Sequence, residues 1–288
     1  MMYAKFINSL GVEIEFTDTA PLILQKIDIT NNVNIYNSKG MSQDGSTYNG
    51  NTLDIKDIPV QVALNASNPV ELDMLKDKMN TIFNPKLNEG YLFYKNKKIK
   101  CIANKLPYYN ENVNNIYCEC LIHLTAHNPY WEDIRESKKQ IALWKGDFHF
   151  PLVIPQGKGI TMGHRERSLI VNVNNTGQVK TGMIIEFFAR GTLSNPSLFN
   201  VNTREFIKIN KGMVAGEKFI INTNYSKKKI LQELNGVTTD ILNYLDIVGG
   251  GDTFLQLDVG DNLFRYNTDS NLDNLEVNIY FSPQYLGV

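Results

Sequence analysis

The chain has 288 residues, a formal net charge of -1, 42% hydrophobic and 20% charged residues. Those values suit one large or two ordinary globular domains and give no basic excess for holding nucleic acid. No apolar run approaches the ~20 residues that cross a bilayer, so no membrane anchor is expected. The amino-terminal MMYAKFINSLGVEIEF lacks an apolar stretch followed by a small-residue cleavage site, so no secretory signal is expected. Cys101, Cys118 and Cys120 are too few and too close for a disulfide framework, which points to synthesis in a reducing cytoplasm.

The first segments, KFINSLGVEIEF, LILQKIDITNNVNIYN and TLDIKDIPVQVALN, alternate or carry β-branched residues and read as strands broken by turn residues. Between them, Asn37 to Asn51 is polar and glycine-rich. It reads as a long exposed loop or a mobile hairpin tip. One helix is predicted over 69–83. Asn68 can cap it, Pro69 sits at the first helical position and Glu71 can return the capping bond. Leu72, Leu75, Met79, Ile82 and Phe83 follow at helical spacing, and Asn84 before Pro85 stops the helix. The apolar stripe is expected to be a packing face.

Strands resume in EGYLFYKNKKIKCIANKLPYY and NNIYCECLIHLTAHNPYW. Arg135 to Asp147 is charged at its start and reads as a linker. After it come FHFPLVIP, SLIVNVNNTG, GMIIEFFARG, REFIKINKG, EKFIINTNY, TFLQLDVGDNLFRY and LEVNIYFSP. These are strands with Gly, Asn and Asp turns, the pattern of a β-sandwich or jelly roll. The expected organisation is a mostly β chain with one main helix. Residues 1–133 form an α+β domain, 134–150 a linker and 151–288 a sandwich.

Several stretches imitate chemistry. Cys118, Cys120, His123 and His127 spell a zinc-like pattern. On a strand, however, Cys118, Cys120, Ile122, Leu124 and Ala126 share one face, and Glu119, His123, Thr125 and His127 share the other. A tetrahedral ion needs its donors within ~2.0–2.3 Å of one point, so no site is expected. HNPYWED (127–133) gathers an imidazole, an amide, two aromatics and two carboxylates, and HNPYWEDIR resembles fragments of galectin sugar signatures. The reading preferred is structural: His127 ends a strand, Asn128 and Pro129 turn the chain, and Tyr130 and Trp131 plug a domain edge. Glu132 and Asp133 are adjacent, so on a strand they point to opposite faces and cannot form a glycosidase pair across a cleft.

The four histidines, 123, 127, 149 and 164, show no metalloprotease spacing. Lys180, Thr181 and Gly182 match a β-lactamase-type triplet whose other pieces are missing; Ser226 to Lys229 is a lysine run. Gly177 and Gly182 are spaced like a phosphate loop, but Met183 stands where the lysine is needed. These glycines, with Gly157, Gly159 and Gly163, are read as turn glycines. Asp246, Asp252, Asp258 and Asp261 are read as solvated turn carboxylates rather than a calcium site. No catalytic, cofactor-binding or metal residue is assigned, and no cofactor is expected.

In order along nearly the whole chain stand the apolar helix, NPKLNEGYLFY, a strand hairpin, HNPYWED, LWKGDFHFPLVIP, NNTGQVKTGMIIEFFARG and the closing FSPQYLGV. The most specific pieces are Asn128, Pro129, Tyr130 and Trp131; Asn175, Thr176 and Gly177; Asn195 and Pro196 with Asn202 and Thr203; and Tyr285, Leu286, Gly287 and Val288. This order resembles the phage distal tail protein family, the tail-tip hub of long-tailed phages of Gram-positive bacteria.

The resemblance implies a non-enzymatic virion protein, made in the host cytoplasm. It implies a homohexameric ring formed through the helix-bearing first domain, and a galectin-like second domain. The implied partners are other copies of the chain, the major tail or tube protein, the tail-associated tip protein and receptor-binding proteins. The alternative reading is a carbohydrate-binding module for the host cell wall, using Trp131 or Trp144.

Overall fold

The computed structural model describes residues 3–140, 144–146, 163–165 and 170–288. The chain divides into two compact units, one of Met1–Ile134 with Tyr285–Val288, the other of Arg135–Gln284.

The first unit is built on one long curled sheet. Its strands run in the spatial order Glu13–Phe16, Ala4–Ile7, Gly90–Tyr94, Lys97–Ala103, Tyr117–Ala126, Lys56–Asn65, Leu22–Ile27. A parallel bridge between Thr17 and Ile23 joins the two ends of that path. Closing a sheet on itself removes the edges that would otherwise invite uncontrolled pairing. The longest ladder is antiparallel and runs from Tyr117 opposite Asn65 to Ala126 opposite Lys56. Trp131–Asp133 adds to the Lys97–Ala103 strand and also pairs with Gln284–Tyr285.

The helix, Pro69–Ile82, starts where the sequence places it. The Asn68 side chain accepts from the Glu71 amide at 2.9 Å, and the Glu71 carboxylate accepts from the Ser67 amide at 2.7 Å. Leu72, Met79, Ile82 and Phe83 are buried and Leu75 packs against the same core. The ring of Phe83 stacks on Phe6 at 4.8 Å and lies 6.2 Å from Phe16, so the helix end closes the barrel interior.

The second unit has two main antiparallel sheets. One carries Ser137–Gln140, Leu275–Phe281, Ile184–Ala189, Lys218–Asn222, Lys229–Leu234 and Val237–Asp240; the other Ile170–Asn175, Gly260–Asn267, Ser197–Asn200 and Phe206–Lys208. Alternating residues of both sheets, among them Val173, Ile185, Phe187, Phe219, Phe264 and Ile279, form a single core. That is a β-sandwich. Two expectations change here. Ser137–Gln140, read as linker, is a strand paired with Leu275–Phe281, its register running from Ser137 opposite Phe281 to Gln140 opposite Asn278. Gly177 and Gly182 are not turn glycines: a Cβ would lie 2.6 Å from the Gln284 carbonyl oxygen and 2.5 Å from the Asn224 Cα, so close backbone approach demands them. The expected strand FHFPLVIP, His149, Gly157 and Gly159 fall outside the described residues. Trp144–Gly146 and Gly163–Arg165 pair with each other.

Candidate functional site

HNPYWED looks most like chemistry in the sequence, and the structure buries its Trp131 and ion-pairs its Asp133. The long strand ends at Ala126, and a short strand begins at Trp131. The Trp131 ring is 0% exposed and belongs to the first core. Lys56 is also 0% exposed, and its ammonium lies 5.4 Å from the Trp131 ring centroid. Desolvation lowers the Lys56 pKa from 10.5 to about 8. Glu132 and Asp133 stand opposite Lys98 and Lys97 in register. Asp133 is ion-paired to Lys97 and accepts a hydrogen bond from the Tyr285 hydroxyl at 3.2 Å. A carboxylate held this way is committed to the fold. His127 lies 3.6 Å from Glu89, which also pairs with Lys100.

The zinc-like strand behaves as alternation requires. Cys118, Cys120, Ile122, Leu124 and Ala126 are all buried. Burial pushes the Cys120 thiol up to about 12, and the Cys101 thiol likewise. On the other face, Thr125 donates to Asp57 at 2.9 Å and accepts from Asn104 at 2.7 Å. The turn carboxylates of the second unit are engaged locally. Asp246 accepts from Asn210 and the Gly249 amide, Asp258 pairs with Lys180, and Asp261 accepts from Asn172 and Asn174. Among the described residues, no group of three or more His, Cys, Asp or Glu is placed to hold a metal ion.

The surface that stands apart is a hairpin in the first unit. Among the described residues, Val33–Ser38 and Thr47–Leu53 pair only with each other, with a bulge between Tyr36 and Asn37. Every residue of the first strand is exposed. Val33 stands opposite Leu53 and Ile35 opposite Asn51. Ile35 is 63% and Tyr48 62% exposed, so this ribbon offers apolar groups to solvent instead of to a core. The polar stretch from Asn37 to Asn51 is thus the distal half of a hairpin, and its turn carries a fully exposed Met41.

Two family models match the chain. The phage tail protein RIFT-related domain covers residues 9–118, and the C-terminal domain of the siphovirus-type tail component covers 176–285. The chain belongs to the siphophage distal tail protein family. It is a structural component of the phage tail tip and hence of the virion. This distal tail protein is similar to the SPP1 Dit (gp 19.1) protein, described as "a Paradigm of Hub Adsorption Apparatus in Gram-positive Infecting Phages". The two share 10% identity with a TM-score of 0.71, covering 98% of this chain and 99% of the other. It is also similar to a chain of the phage P2 baseplate in its activated conformation with Ca, at 9% identity, a TM-score of 0.53 and 97% coverage of both chains. At those identities the likeness is one of fold. No curated protein matches.

Within the distal tail protein the hairpin lies inside the RIFT-related match, and Leu286 to Val288 lie beyond the second match. Sequence reading missed Lys56 over the Trp131 ring, and Asn31, Lys95 and Lys97 against Tyr285–Val288. The available signal was a lysine, Lys56, standing at two-residue spacing before the buried apolar face Ile58, Val60, Val62 and Leu64 of the strand Lys56–Asn65.

Proposed function

We propose that this chain is a non-enzymatic hub that assembles as a homohexameric ring through its first unit. The ring would join the tail tube protein to the tail-associated tip protein, and the sandwich would be available to receptor-binding proteins. The hairpin carries the reading. An isolated two-stranded ribbon is marginal in water, and its exposed Val33, Ile35 and Tyr48 remain unburied within one copy. A neighbouring copy or an adjoining tail ring is the partner that would bury them. Symmetric rings are built from such repeated heterologous contacts.

The test replaces Ile35 and Tyr48 together by Ser and measures mass by light scattering and native mass spectrometry. Loss of the ring with an unchanged monomer fold supports the hairpin as an assembly element. A full ring from the variant would refute that role. Immunogold microscopy on particles tests the placement itself: gold at the distal tail end supports the hub, and labelled cell walls with bare tails would overturn it.

A further inference from the structure

The strongest feature outside the hairpin is the way the segment Tyr285–Val288 is held. The chain leaves the first unit after Trp131–Asp133, builds the whole second unit, and returns beside that same strand. The Tyr285 hydroxyl donates to Asp133, and the Lys97 ammonium lies 3.4 Å from the Tyr285 ring centroid. The Leu286 carbonyl accepts from Asn31 at 2.8 Å and from Lys56 at 3.5 Å, and the Val288 carbonyl accepts from Lys95 at 3.4 Å. Tyr285 and Val288 also pack against the first core. Five side chains, Asn31, Lys56, Lys95, Lys97 and Asp133, thus converge on four residues that follow the second unit in the chain.

The same groove holds polar groups that are not satisfied. Asn31 Oδ1 and Trp131 Nε1 are buried without a hydrogen-bond partner. Each unmet buried group costs part of what docking gains. Lys56 adds an ammonium taken out of water, whose hydrogen bond here is to the Leu286 carbonyl. Docking therefore carries a desolvation cost beside its specific contacts.

We propose that Tyr285–Val288 is a strap that closes the first unit and opens without unfolding it, leaving a strand-accepting groove lined by Asn31, Lys56, Lys97, Trp131 and Asp133. Closure makes the finished form of the first unit depend on a segment that reaches it only after the second unit has been made. The open groove takes an extended apolar peptide carrying a tyrosine, by strand addition to Trp131–Asp133. This inference does not rest on the ring and stands or falls separately from it.

The experiment compares the intact chain with a chain ending at Gln284, by amide hydrogen exchange and calorimetry. The expected result is exchange faster by about tenfold or more at Asn31 and Trp131–Asp133, the factor given by losing roughly 1.4 kcal/mol. Exchange in the sandwich strands should stay unchanged. The peptide Gln-Tyr-Leu-Gly-Val, added to the shortened chain, should restore protection in a saturable way. Unchanged exchange in the shortened chain, or no effect of the peptide on it, would overturn the strap. Should the shortened chain not fold, Tyr285→Phe with Asp133→Asn in the intact chain serves instead. That pair keeps the ring and removes its anchor. Faster exchange confined to the strap and its groove supports the proposal, and exchange equal to the parent overturns it.

Discussion

Trp131 and the hairpin of Val33–Ser38 with Thr47–Leu53 lie in the same unit and differ in what the fold leaves accessible. HNPYWED concentrates reactive groups, yet Trp131 is wholly buried and Asp133 is tied to Lys97 and Tyr285. The hairpin is largely Asn, Gly, Ser and Thr and carries no reactive motif, and it is the part left facing solvent. The difference is one of access. A side chain meets a partner only where the fold has not already spent it, and dense chemistry in a short stretch often means that the groups satisfy one another.

That contrast can be broken by measuring stability and assembly separately. Trp131→Ala should have the largest effect on stability, about 3–5 kcal/mol, by emptying a site at the core. A loss under about 1 kcal/mol in denaturant unfolding would mean that Trp131 is not a core element.

Lys56 gives the next effect. Its folded pKa is lowered to about 8 from 10.5, so the unfolded chain binds more protons between those values. The penalty of the buried charge is therefore fully present below pH 8 and is relieved as the pH rises towards 10.5. The melting temperature of the first unit should rise across that window relative to a Lys56→Met chain. Lys56→Met should itself be neutral or more stable near pH 7, by up to about 2 kcal/mol. A melting curve with no pH difference between the two chains would exclude a desolvated lysine.

Asn68→Ala should cost about 1 kcal/mol by removing the helix cap, without altering assembly. Smallest for stability is the hairpin. Ile35→Ser with Tyr48→Ser should move unfolding by less than about 0.5 kcal/mol while abolishing the ring. Equal damage to both properties would end the contrast between the two regions.

The elements legible in the sequence are those whose burial is periodic. The helix announces itself through Asn68, Pro69 and Glu71 and the spacing from Leu72 to Phe83. The strand Tyr117–Ala126 does so through two-residue alternation, which also disposed of the zinc pattern. Where neither face is buried, periodicity has nothing to report, so Asn37 to Asn51 read equally as a long exposed loop or a hairpin tip. Ser137–Gln140 is a charged edge strand, and charged edges look like linkers. The return of Tyr285–Val288 was hidden for another reason. Asn31 and Leu286 are 255 residues apart, and no local pattern encodes such a contact.

The buried thiols have a consequence for the lifetime of the particle. A tail component is made inside a cell and then spends its working life outside, under air and peroxide. Oxidation begins with an accessible thiolate. Cys101 and Cys120, with thiols pushed up to about 12 and no exposure, offer almost none, and Cys118 is buried beside them. The fold thus crosses from one redox world to the other without a covalent change, and an aged stock should still carry three free cysteines when unfolded and titrated.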